Sequence, residues 1–150
     1  MEALIAMNNQ AVDMFFGAVR KMPEDKQNWK PLEEGRSALE QAQEMATAPD
    51  MFLMHLAPGR TPKYNSYEDA MAAGSKMDLD ACEAECRKLT AEINDALSKM
   101  TPEQMAQKHA MPWGMEHSGA EIAGFHHWNA VYHLGQVNYI QTLYGDKNMF

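Results

Sequence analysis

His126, Asn129, His133 and Gln136 recur at helical spacing near the end of the chain, set among Ile122, Val137, Ile140 and Tyr144. At about 100° per residue these positions share one side of a helix, the side the apolar neighbours mark as core-facing. Polar groups placed there cost free energy unless something pairs with them. They either bond to one another and to adjacent helices, or they face a pocket where imidazoles and amides bind a metal or a small ligand. Asn129 and His133 stand four apart, and side chains at that spacing reach one ion. His126 and His133 are seven apart, about 10 Å along the axis, so they do not converge on a single metal. Asn is a poor ligand for a borderline ion such as Zn²⁺ and suits harder cations. His126 and Gln136 are then candidates to contact substrate or solvent, and Trp29 and Trp113, both on connecting segments, to wall a pocket mouth.

Helices must position these groups, because strand signals are nearly absent. The first helix is expected over Leu4–Lys21, stopped by Pro23, followed by a polar connector to Arg36. Ser37-Ala38-Leu39-Glu40 is a capping box that opens the second helix, which Pro49 ends or kinks. The stretch 60–65 reads as loop, and a short helix runs from Ser66 to Gly74. A third long helix spans about Asp78–Met100 with the stripe Leu79, Cys82, Cys86, Leu89, Ile93, Leu97 and Met100. Thr101-Pro102-Glu103-Gln104 caps a further turn of helix, and His109–His117 reads as loop around Pro112-Trp113-Gly114. Ser118-Gly119-Ala120-Glu121 is a third capping box, starting the last helix, which Gly145 closes. Four long amphipathic helices with two longer connections and short extra helices predict an all-α four-helix bundle. A chain of 150 residues suits a single domain over 1–150.

Composition narrows the partners. The formal charge is −8 and no basic block occurs, which disfavours nucleic acid. No apolar run approaches a membrane span, and the N-terminus carries no secretory pattern, so a cytoplasmic location is expected. Cys82 and Cys86 form neither a Cys-x-x-Cys pair nor a disulfide framework and read as small core residues. The 14 methionines are unusual; Met7, Met14, Met45 and Met100 fall on apolar stripes and are expected to fill the core. Glu44, two turns into the second helix beside Ser37, Glu40, Gln41 and Ala48, reads from pattern alone as a solvated glutamate.

The stretch from Asn129 to Asp146, NAVYHLGQVNYIQTLYGD, resembles the last helix of the DinB-like (YfiT-like) bundle family. Trp29-Lys30-Pro31 followed by Ser37-x-x-Glu40-x-x-x-Glu44 resembles that family's entry into its second helix, and Pro112-Trp113-Gly114 its approach to the last. The resemblance implies a metal held by three histidines, one on the second helix and two at i, i+4 on the last, serving thiol transfer or hydrolysis. Those positions fall here on Glu44, Asn129 and His133, so only His133 matches. A Glu–Asn–His set is harder and weaker for Zn²⁺ or Ni²⁺ than three imidazoles. Without a metal, Glu44 is placed to accept a hydrogen bond from His133. The expectations are therefore a divalent-metal transferase or hydrolase with an altered ligand set, or a metal-free bundle that binds a thiol-bearing or apolar small molecule or associates as a homodimer.

Overall fold

The computed structural model describes residues 1–148. Helix α1 runs Glu2–Lys21 and a short α2 follows over Glu24–Gln27. Helices α3 (Ala38–Thr47) and α4 (Pro49–Leu56) form the second arm, then α5 (Tyr67–Gly74), α6 (Leu79–Lys99) and α7 (Pro102–Ala106). Strands β1 (Lys108–Ala110) and β2 (Glu116–Ser118) lead into α8 (Gly119–Leu143). The bundle is made by α1 lying along α8 while α3 and α4 pack along α6.

The helix starts form where local chemistry asks for them. Ser37, Thr101 and Ser118 each accept from the backbone N–H three residues on, and Glu40, Gln104 and Glu121 each return a bond to the cap residue's N–H, which satisfies donors that would otherwise be orphaned. Pro49 ends α3 and begins α4, since its ring cannot donate yet fits a first-turn position.

The core has two apolar clusters along the bundle. One joins Phe15, Phe16 and Val19 of α1 with Met45, Cys82, Cys86 and Val137; the other joins Phe52, Leu53, Leu89, Ile93, Leu97 and Ile122. The α6 stripe is buried from Cys82 to Leu97 as its period requires, with Leu79 and Met100 at its ends partly buried, and both cysteines are buried and unbridged.

Three expectations are corrected. The stretch His109–His117 is not all loop: β1 and β2 pair antiparallel, with His109 opposite His117. Strands of three residues are too short to carry an alternating pattern, and their pairing is closed by a turn in which Gly114 takes a φ of 83°. Met7 and Met14 lie on the outer side of α1, 42% and 37% exposed, whereas Met45 is fully buried. Finally, α8 is not amphipathic: Trp128, Val131, Tyr132, Tyr139 and Leu143 face outward while His126, Asn129, His133 and Gln141 face inward. His126, Asn129 and His133 each find a partner inside the bundle, whereas neither polar atom of Gln141 does among the described residues, so burial there does not follow hydropathy.

Candidate functional site

Ser37 fixes the start of α3, which places Gln41 and Glu44 on the flank that meets α8. The His133 ring lies between them, with Nδ1 3.1 Å from Gln41 Oε1 and Nε2 3.3 Å from Glu44 Oε1. Phe15 and Tyr132 pack edge-on against it, and only 1% of its surface is exposed. The second oxygen of Glu44 is held by Arg36, at 2.5 Å from Nη1. Burial pushes the Glu44 carboxyl up, but the hydrogen bond with His133 and the charge of Arg36 outweigh it and hold it below the ordinary carboxylate range. Glu44 is thus an ionised, half-buried group rather than the freely solvated one its pattern suggested.

Asn129, one turn before His133, is 8% exposed and donates through Nδ2 to Met45 Sδ at 3.5 Å. With Glu44 it lines a cavity of about 430 Å³ whose other walls include Met51, Tyr67, Trp113, Phe125 and Trp128. His126 does not join this group. Its Nε2 sits 2.8 Å from Thr90 Oγ1 on α6, and its Nδ1 has no partner among the described residues. The Thr90 hydroxyl donates to the Cys86 carbonyl at 2.7 Å, so its oxygen accepts from the imidazole. Burial, and to a lesser degree the charge of His127, push His126 down to about 4.

The remaining candidates divide. Trp113, at the tip of the β1–β2 turn, walls the cavity. Gln136 lies on a separate depression with Pro31, Arg36, Gln41 and Tyr132. Trp29 packs edge-on against Tyr144, ring centres 6.1 Å apart, next to the first apolar cluster. The polar column therefore splits: His126 and His133 are bonded to neighbouring helices, Asn129 faces the cavity, and Gln136 the outer surface. Two partners carried no sequence signal of their own. Arg36 lay in an unpatterned connector; Gln41, one turn before Glu44 on the same flank, was visible only as a polar neighbour.

The donors fit a resident divalent cation poorly. Glu44 spends one oxygen on a guanidinium and the other on the imidazole, and His133 spends its second nitrogen on Gln41. A cation already bonded to the carboxylate opposes a second one. Among the described residues no three His, Cys, Asp or Glu side chains are grouped to hold a metal.

A family model described as the DinB superfamily matches residues 8–137. Among solved structures, the chain is similar to YfiT from Bacillus subtilis, described as a probable metal-dependent hydrolase with an unusual four-helix bundle topology. The TM-score is 0.76 at 13% identity, over 97% of this chain and 87% of that one. It is also similar to a mycothiol-dependent maleylpyruvate isomerase, with a TM-score of 0.64 at 13% identity. That match covers 93% of this chain, which spans 65% of the isomerase's length. At such identity the likenesses establish the fold. No curated protein matches the chain.

Proposed function

This chain belongs to the DinB superfamily, and from that premise we propose that it is a small-ligand-binding member of the fold. Its cavity takes a molecule with an apolar or thiol-bearing body, and Glu44 and Asn129 receive the polar end. The observation that carries this reading is the placement of a fixed carboxylate and an amide on the wall of a cavity of about 430 Å³ that is otherwise apolar and aromatic apart from His117. Ligand sites have this composition: apolar walls with few convergent polar groups. Arg36 and His133 pin Glu44 from two sides, so little side-chain freedom is lost when a ligand meets it. A thermal-shift screen with low-molecular-weight thiols and small apolar compounds tests it. A ligand at about 100 times its Kd adds about 2.7 kcal/mol, which raises Tm by about 5–10 °C in a domain of this size. If no compound moves Tm by more than about 1 °C, the reading is lost.

A metal-dependent transferase or hydrolase is the second reading, favoured by the convergence of Glu44 and His133 at positions where the family resemblance puts ligands. It requires Arg36 to release Glu44 and would use Glu44, Asn129 and His133 for Zn²⁺ or Ni²⁺. Elemental analysis of protein purified without chelator decides between the two, since stoichiometric Zn or Ni would displace the first. Self-association is a separate possibility for the outer face of α8. Tyr132, Tyr139 and Leu143 are about half exposed there, and no Asp, Glu, Lys or Arg occurs from Ile122 to Gly145. A second copy of a chain with charge −8 would meet no like charge on that face. Light scattering on the wild type and on Tyr139→Glu tests it: a dimer that the variant dissolves supports the reading, and a monomeric wild type ends it.

A further inference from the structure

The cavity beside Glu44 adjoins a second one of about 670 Å³, and Ala48, Met51, Tyr67 and Trp113 line both. The mouth is aromatic. Tyr67, Trp113 and Trp128 are 51%, 47% and 60% exposed, and Phe125 stands behind Trp113 with ring centres 6.1 Å apart. Rings so displayed cost hydration free energy in contact with water, and a ring face is the negative side of its π-system; one face of Trp128 is covered by Tyr132, stacked at 5.4 Å, which leaves the other for a ligand.

Charge around the two cavities is one-sided. Glu44, Asp50 and Glu68 line them, whereas no Lys or Arg does. Arg36 and Arg60, which pair with Glu44 and Asp50, line neither. The chain as a whole is acidic, at −8. Arginines offset Glu44 and Asp50, which leaves Glu68 without an ion-pair partner among the described residues, so an anionic ligand would meet an unbalanced negative charge and a neutral one would leave it unused. A cation with an apolar shell satisfies both features, because its methyl groups tolerate desolvation and its charge is attracted to ring faces and to Glu68 together.

We propose that the joined cavity binds organic cations, a quaternary or methylated ammonium head held among Tyr67, Trp113 and Trp128 with its chain directed toward Glu44 and Asn129. This deepens the binding reading above and rests on it, in that the same cavity is the ligand site.

Choline and its uncharged isostere 3,3-dimethylbutan-1-ol are the probes, titrated against the full chain while the three indole N–H signals are followed by NMR. The Trp113 and Trp128 signals shift with choline, and that of Trp29, packed on Tyr144, does not. Choline binds at least about fivefold more tightly than the isostere, the margin a cation on an aromatic face supplies. Trp128→Phe, which keeps an aromatic face, retains most of this preference, and Trp128→Leu, which keeps apolar bulk, loses it. Trp128 is exposed enough for the fold to survive both substitutions, which circular dichroism verifies. Equal binding of the two probes overturns the cation assignment while leaving the apolar binding reading intact. Absence of any shift at Trp113 and Trp128 with either probe overturns the cavity as the cation site, and the thermal-shift screen then decides the binding reading by itself.

Discussion

His126 gives the bundle a built-in acid sensitivity whose size follows from its surroundings. The ring is 1% exposed, its Nε2 is bonded to Thr90, and a second proton on Nδ1 would find no acceptor. The folded state therefore refuses a proton that the unfolded chain accepts below the ordinary 6.5, and it holds out down to about 4. A depressed folded value means that the stability is present above the unfolded value and lost as pH falls from it toward the folded one. Integrating proton uptake between about pH 7 and about pH 5 gives a loss of about 2 kcal/mol from this residue. Urea unfolding followed by helical circular dichroism at those two pH values measures it, with His126→Gln as reference. The glutamine can still donate to Thr90 but takes up no proton. His55, pushed down by burial and then by the charge of His109, contributes in the same direction but is common to both proteins. Carboxylates held low, Glu44 and Glu121 among them, lose their contribution as pH falls below the ordinary carboxylate range, outside this window. The wild type should lose about 2 kcal/mol more than the variant. Parallel losses in the two proteins would refute the reasoning, because the proton taken up on unfolding would then belong to another group.

Three further outcomes are expected. Burial raises the thiols of Cys82 and Cys86 to about 12, so neither should react with a neutral-pH thiol reagent until urea unfolds the chain; rapid labelling of the native protein would contradict this. The double substitution Glu44→His with Asn129→His restores the three-histidine set that the family resemblance implies. It should bring Zn²⁺ affinity up by at least about tenfold over wild type in a competition titration with a chromophoric chelator; equal affinity would mean that α3 and α8 do not present these positions to one ion. A methyl group at Gly119 would sit 2.3 Å from the Gln104 carbonyl oxygen, so Gly119→Ala should cost about 2 kcal/mol, seen as a lower urea midpoint, and an unchanged midpoint would mean that α7 moves freely away from α8.

Much of the fold was legible because its signals are local. A serine or threonine followed three residues later by a glutamate or glutamine announces a helix start whatever surrounds it, and Ser37, Thr101 and Ser118 do so here. The stripe from Leu79 to Leu97 fixes which side of α6 is buried because the helical period alone selects it. The spacing of His126 and His133 likewise ruled out a shared ion, and the two rings engage different helices.

The candidate site was legible only in outline. That Glu44 and His133 approach each other came from family resemblance, not from pattern, since a glutamate beside polar neighbours reads as solvated. The charge state of that carboxylate depends on Arg36, eight positions earlier in a connector whose path no local rule specifies. Gln41 reaches His133 across 92 residues. The aromatic mouth gathers Tyr67 from α5, Trp113 from a hairpin turn and Trp128 from α8. Sequence periodicity states which side of an element is buried; it does not state what that side meets. The sequence by itself thus determined the long helices, their starts and the one polar column on α8, but not the short α2 inside the connector. Tertiary structure decided which of those polar groups are satisfied and which face a cavity, because the partner of a buried polar group is set by the packing of helices far apart in the chain.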